Sequence, residues 1–309
     1  MNMKPTEVKV SLKSGETLNI YMNTPTLNPS KEVLIGVHGW LCDHRCLKPL
    51  FPYLEKEFQM IVPDFRGQGK SGLLNPVNGI EDLADELLLI MDHFKITKAS
   101  LFAWSFGCQV AICFAVHYPS RVKNLFLIAP SPLQGLPSFK KVRQPDGKVV
   151  NKLIREKGEM HSDEYNHITL INIKKQDKAK TIELLKIDSF DKNYPRKADL
   201  EELADQILLS QDFKNTRWAL ATFNSTDEEM HGVPGNGYCK KIQAPVYLFI
   251  GEKDYFATPE ALKRIHRNFP TLKNLIMFDA PHATHYYYPE KVSEYMLAIL
   301  GRPLLKPKL

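Results

Sequence analysis

The stretch Lys98-Ala-Ser-Leu-Phe-Ala-Trp-Ser105-Phe-Gly107 constrains this chain more than any other. An apolar run ends abruptly at a serine flanked by small residues, and a second apolar run, Cys108 to Tyr118, follows with helical spacing. The pattern predicts a strand, a sharp turn with serine at its tip, and a helix. That is the sequence form of a nucleophile elbow, whose usual pattern is Gly-x-Ser-x-Gly. The first glycine is Ala103 here. Such a turn forces the serine into a strained backbone conformation, and strand and helix pack so closely that the flanking residues must be small. Alanine meets that steric demand; a large residue would not.

An elbow needs a sheet, and the flanking sequence supplies one. Residues 6–12 and 17–23 alternate apolar and polar residues around Lys13-Ser14-Gly15-Glu16, the pattern of an antiparallel hairpin. Residues 32–37 form an apolar strand ending in His38-Gly39-Trp40. Asp43 caps a helix through about Leu54, with Leu47, Leu50, Phe51 and Leu54 on one face. A strand at 58–62 leads into Pro63-Asp64-Phe65-Arg66-Gly67-Gln68-Gly69-Lys70-Ser71. A helix at 80–94, the elbow, and a buried strand at 122–129 follow. Strands alternating with helices at this spacing predict a mostly parallel sheet with right-handed crossovers.

The alternation then breaks. Residues 131–240 hold no clear buried strand, are charged and mixed, and read as helical, with turn signals at Gln144–Gly147 and Gly232–Gly237. It resumes with a strand at 245–250, a helix at 259–269, a strand at 274–278 and a helix from Pro289. An interrupted sheet implies an insertion. The expected organisation is an α/β core at 1–130 and 241–309 with a helical cap at 131–240.

The 309 residues fit one large domain or a domain with an insertion. An apolar content of 43% with 25% charged residues is ordinary for a globular chain. No run of about 18 apolar residues exists, so no membrane span is expected. The opening residues lack the apolar core of a signal peptide, so a cytoplasmic location is expected. The five cysteines (Cys42, Cys46, Cys108, Cys113 and Cys239) are odd in number and lack zinc-type spacing, which predicts reduced, structural thiols and no metal. A net charge of +6 is modest, points to a solvated surface and suggests no nucleic-acid partner.

A serine hydroxyl is a poor nucleophile at neutral pH. It needs a histidine to take its proton and a carboxylate to orient that histidine. In open α/β sheets such groups collect at the carboxyl ends of the strands. The carboxylate candidate is Asp254, in Gly251-Glu-Lys-Asp254 directly after a strand, with Glu252 as neighbour. The histidine candidate is His282, in Ala-Pro-His282-Ala-Thr-His285, with His285 as competitor. The loop length before Pro289 favours His282. An oxyanion needs preorganised N–H donors. Phe106 N–H follows the serine at a helix start, and Trp40 N–H follows the His38-Gly39 strand end. Trp40 and Trp104 are candidates for substrate contact, and equally for core packing. His38 reads as a loop organiser. The Asp64–Gly69 turn lacks phosphate-loop spacing and reads as structural.

Together, His38-Gly39-Trp40, Pro63–Ser71, Ala103-Trp-Ser-Phe-Gly107, Gly251-Glu-Lys-Asp254 and His282 with Pro289 resemble the α/β-hydrolase fold superfamily. The order serine, acid, histidine is that of these hydrolases. The resemblance covers both ends of the chain and leaves the cap uncovered. It implies a mostly parallel eight-stranded sheet with helices on both faces, and a serine carboxylesterase that needs no cofactor. Two branches are similar. The pimeloyl-ACP methyl ester esterases share the His-Gly-Trp loop, the Trp-Ser-x-Gly elbow, Ala129-Pro-Ser-Pro132 and Ala280-Pro-His282-Ala. That likeness implies an acyl carrier protein as partner, held by basic cap residues such as Lys140, Lys141, Arg143 and Arg155. The same stretch also reads as a solvated helix face. The cofactor-independent quinolone dioxygenases are similar at Gly39–Arg45 and Ile61–Gly67, but place their acid after the sixth strand, where Ala129-Pro130-Ser131 stands here. They also flank the serine with histidines, where this chain has Trp104 and Phe106. A third possibility is a ligand-binding homologue without catalysis.

Overall fold

In the computed structural model, which describes residues 6–303, the first alternating segments form β1 (Thr6–Ser11) and β2 (Thr17–Met22), an antiparallel hairpin. Then come β3 (Val33–Val37), a 3₁₀ turn (His44–Leu50) continuing into α1 (Phe51–Leu54), and β4 (Gln59–Pro63). Next are α2 (Ile80–His93), β5 (Ala99–Trp104), α3 (Phe106–His117) and β6 (Val122–Ile128). The chain then leaves the sheet through β7 (Phe139–Arg143), β8 (Val149–Leu153), α4 (Glu164–Lys175), α5 (Lys178–Asp188), α6 (Lys197–Leu208), α7 (Phe213–Thr222) and α8 (Tyr238–Lys241). It returns with β9 (Val246–Gly251), α9 (Pro259–Asn268), β10 (Leu272–Phe278), α10 (Thr284–Tyr287) and α11 (Pro289–Ile299).

Eight strands pair in the order β1-β2-β4-β3-β5-β6-β9-β10. The pairs β1–β2 and β2–β4 are antiparallel, and every pair from β4 onward is parallel. The central strands are buried along their whole length, which explains their continuous apolar runs. On one face, Ile80, Leu83, Leu87 and Ile90 of α2 recur at helical spacing and pack with the apolar α3. On the other face, Phe102, Phe126 and Phe249 meet Leu47, Leu50 and Met296. Each such fully buried side chain contributes about 1.5–3 kcal/mol. Among the described residues no helix is long and apolar enough to cross a membrane. All five cysteines are buried free thiols.

The stretch between β6 and β9 corrects one expectation. It is not helical throughout, because β7 and β8 form an antiparallel hairpin turning at Gln144–Gly147. Gly147 takes φ 82°, a conformation that favours glycine. No residue of either strand is fully buried, so neither shows the apolar stripe that marks a strand. The basic residues expected on a helix face therefore stand on this hairpin and the segment after it. Lys140 pairs with Glu159 and Lys141 with Glu164, whereas Arg143 and Arg155 are exposed.

The Asp64 turn is a hub. Its carboxylate accepts from His44 N–H and Nδ1–H, Asn19 Nδ2 and Lys70 N–H at 2.8–3.1 Å. Burial opposes its charge, but the His44 contacts prevail and hold its pKa below the usual carboxylate value. Asp43, His44 and Asp64 lie close enough together to suggest metal ligands. However, Asp43 is bound by Arg45 at 2.7 Å and Asp64 by the donors above, so the cluster is already satisfied by protein groups.

Candidate active site

β5 ends at Trp104, and α3 begins at Phe106. The single residue between them, Ser105, takes φ 53° and ψ −115°. Its N–H donates to the Ile128 carbonyl at 3.1 Å, which ties the turn to the end of β6. The reason for small neighbours is visible at Gly107, where a Cβ would meet the Val37 carbonyl and lie 2.5 Å from the His38 carbonyl. The helix start is pressed against β3. Gly39 is constrained in the same way, because a Cβ there would lie 2.7 Å from the Trp104 ring.

Two further strand ends converge on this serine. Gly251 ends β9, and Asp254 follows in the turn, its Oδ1 accepting Phe256 N–H at 2.9 Å. β10 ends at Phe278, and the loop after it carries His282. His282 Nδ1 lies 2.8 Å from Asp254 Oδ2, and His282 Nε2 lies 2.8 Å from Ser105 Oγ. A carboxylate only accepts, so Nδ1 carries the hydrogen and Nε2 offers a lone pair to the serine hydroxyl. Both Asp254 and His282 are about 95% buried, at 5% and 4% exposure. Burial acts against a charged His282. Asp254, by charge and hydrogen bond, and the Asp188 charge outweigh it, so the imidazole is more basic than usual.

The competing histidine sits elsewhere. His285 Nε2 donates to the Cys46 carbonyl at 2.8 Å, and the ring packs on Trp104 with centroids 5.0 Å apart. Burial, together with the His282 charge, pushes its pKa down to about 4, so it is neutral at physiological pH. His38 donates from Nδ1 to the Gly39 carbonyl at 2.8 Å and accepts Phe65 N–H on Nε2 at 3.0 Å. It pins the loop after β3 to the loop after β4. Trp104 donates from Nε1 to the His282 carbonyl at 3.3 Å and backs the histidine loop, while its ring also lines the cavity. The Trp40 indole donates to Thr216 Oγ1 at 3.1 Å. The backbone N–H groups of Trp40 and Phe106 have no acceptor among the described residues. They stand next to the serine turn, one after β3 and one at the first position of α3, where the helix dipole favours negative charge.

Ser105 opens into a cavity of about 490 Å³. Its floor is Ser105, His282, Trp104 and Trp40. Its remaining walls come largely from outside the sheet: Leu136, Asp163, Tyr165, Ile187, Asp188, Arg217 and Leu220, with Tyr255 and Phe256 beside Asp254. Asp188 accepts from Tyr165 Oη at 2.8 Å and from Tyr255 Oη at 2.5 Å, joining α4 and α5 to the Asp254 turn. None of these wall residues was legible as functional.

The whole arrangement is a hydroxyl hydrogen-bonded to a buried histidine–carboxylate pair, with two N–H donors unpaired among the described residues beside it and a half-open, mostly apolar chamber above. It suits attack on an acyl carbonyl. The α/β hydrolase fold family matches residues 32–289. Over 251 residues, 80% of this chain and 85% of that one, the chain is 25% identical to a pimeloyl-[acyl-carrier protein] methyl ester esterase of Neisseria meningitidis serogroup C. It is 30% identical to a 1H-3-hydroxy-4-oxoquinoline 2,4-dioxygenase of Pseudomonas putida over 127 residues, 40% of this chain and 47% of that one. Two other curated relatives are spanned over only 26% and 38% of their own length. Among solved structures, a malate-bound thermophilic esterase from Thermogutta terrifontis superposes with a TM-score of 0.70 at 21% identity, covering 96% of this chain and 98% of that one.

Proposed function

This chain belongs to the α/β-hydrolase fold family, and we propose that it is a serine-dependent carboxylic ester hydrolase. The observation that carries the reading is the line Asp254–His282–Ser105, with both links at 2.8 Å, at the base of a cavity that opens to the surface. In this mechanism Ser105 Oγ attacks the ester carbonyl while His282 Nε2 takes its proton. Asp254 holds the imidazole in register and stabilises the imidazolium. The Trp40 and Phe106 N–H groups receive the oxyanion. The tetrahedral intermediate collapses, and the alcohol leaves with the proton from His282. A water, deprotonated by the same histidine, then cleaves the acyl-enzyme to release the acid. Trp40 and Trp104 offer apolar surface to the substrate. The Neisseria relative suggests a carrier-linked acyl group. Arg143 and Arg155 remain exposed for an acidic carrier, but Lys140 and Lys141 are engaged in ion pairs, which weakens that extension.

Wild-type protein should hydrolyse short p-nitrophenyl esters and take up a fluorophosphonate probe at Ser105. Ser105→Ala should lose turnover by about 10⁴-fold or more, with an unchanged thermal melt. A mutant as active as wild type would sink the assignment. A protein that hydrolyses no ester and takes up no probe would favour ligand binding without catalysis. Oxygen consumption with a 3-hydroxy-4-quinolone would favour the dioxygenase, whose acid after the sixth strand falls where Ala129-Pro130-Ser131 stands in this chain.

A further inference from the structure

A cation that forms no ion pair among the described residues lines the same cavity. Arg217, on α7, is 4% exposed. Its Nε–H donates to Asn166 Oδ1 at 2.9 Å and its Nη1 to the Leu136 carbonyl at 2.6 Å. Both acceptors are neutral. Asn166 is itself fixed, its amide nitrogen donating to Ser138 Oγ at 3.0 Å and the Met160 carbonyl at 3.1 Å, which turns its oxygen toward Arg217. A guanidinium has five N–H donors. The two on Nη2 have no acceptor among the described residues.

The carboxylates on the cavity wall are committed elsewhere. Asp163 accepts Phe139 N–H at 3.0 Å and Asn166 N–H at 3.1 Å. Asp188 is held by its two tyrosines. The Asp163 charge favours the guanidinium from a distance, but no carboxylate among the described residues forms an ion pair with Arg217. Burial is the larger influence and lowers its pKa to about 10, so it still carries its charge at neutral pH. The Trp40 ring, 5.8 Å from Cζ, closes one side.

A buried guanidinium held only by neutral acceptors is costly to maintain, and such groups cluster at binding sites. Its planar fork matches a carboxylate through two parallel hydrogen bonds. We propose that Arg217 determines specificity by receiving a carboxylate carried by the substrate, so that the cavity takes half-esters, with the ester at Ser105 and the acid at Arg217. The proposal rests on the reading of Ser105 as an ester nucleophile. The carboxylate belongs to either the acyl or the alcohol part, and the test separates the two.

The test is calorimetric binding to Ser105→Ala, which needs no turnover. The acyl-side probes are the monomethyl half-esters of succinate, adipate and suberate, and the alcohol-side probe is 4-acetoxybutyrate. Each is compared with the neutral compound in which a terminal amide replaces the acid. At least one acid should bind about tenfold more tightly than its amide, with the ratio falling as ionic strength rises. Adding Arg217→Gln should bring the ratio below about twofold, and Arg217→Lys should retain part of it. If Arg217→Gln does not fold, the Lys variant and the salt dependence decide. Equal binding of acid and amide across all four probes, or a ratio that survives in Arg217→Gln, overturns the proposal. Turnover of the same esters by wild type is scored separately. Selective binding without turnover would keep the Arg217 site and discard the hydrolase reading; turnover without selectivity would do the reverse.

Discussion

Ser105, Asp254 and His282 stand where β5, β9 and β10 end, whereas Asp163, Asp188 and Arg217 reach the same cavity from the segment between β6 and β9. The first group is positioned by backbone. Ser105 N–H is tied to the end of β6, the Asp254 carboxylate is capped by a turn N–H, and the His282 loop is backed by Trp104. In the second group Asp163 also accepts backbone N–H groups, but Asp188 is held by two tyrosine hydroxyls and Arg217 by an asparagine amide together with one backbone carbonyl. Sheet ends give the chemistry a frame that exchanging one surface residue does not move. The inserted helices give the chamber walls a frame that a few substitutions can redraw. On our reading, rate belongs to the first group and choice of substrate to the second.

Substitutions can break or sharpen that division. The largest effect is expected at Asp254→Asn, which keeps the shape but removes the charge that holds Nδ1–H. Its kcat should fall by about 10³–10⁴-fold with little change in KM, measured by steady-state ester hydrolysis. A loss below tenfold would show that the frame does not set the rate. Next, the two regions should differ in their tolerance of an added methyl group. Gly107→Ala forces a Cβ onto the Val37 and His38 carbonyls and should cost about 3 kcal/mol or more in urea unfolding. Gly147→Ala, at the tip of the β7–β8 hairpin, has open space around it and only a positive φ to strain, so it should cost about 1 kcal/mol. Similar costs at both sites would erase the contrast.

The smallest expected effect couples the two regions through charge. Asp188 raises the basicity of His282 from the insertion side. On the proposed mechanism His282 must be neutral to accept the serine proton, so activity should fall as pH drops through its pKa. Asp188→Asn removes a negative charge that stabilises the imidazolium. The pKa should fall, and the acid limb of the kcat/KM profile should move to lower pH. An acid limb that stays in place, or moves upward, would mean that the insertion leaves the histidine electrostatically alone.

The same division governs what could be read from the sequence. β3, β5 and β9 are apolar runs closed by glycine, histidine or serine, so their ends and the residues on them stand out. Loop length favours His282 over His285, and in the structure it is His282 that faces Ser105, while His285 is hydrogen-bonded to the Cys46 carbonyl. The β7–β8 hairpin was missed because its strands carry lysine, arginine and valine with no buried face. Its turn signal was visible at Gln144–Gly147, but the flanks looked helical. Asp188 and Arg217 were missed for another reason. Their roles depend on tyrosines and an asparagine distant in the chain, and no local spacing encodes that meeting.

The backbone at Ser105 carries one more consequence. A serine held at φ 53° and ψ −115° sits in a region that side chains avoid, at a cost of about 1–3 kcal/mol. Glycine would adopt the same angles freely but would bring no hydroxyl. At position 105, then, the substitution most favourable to folding is one that removes the nucleophile of the proposed mechanism. Selection for a sturdier chain and selection for a working one pull in opposite directions there, and a serine retained in lineages under thermal stress would be a record of which one prevailed.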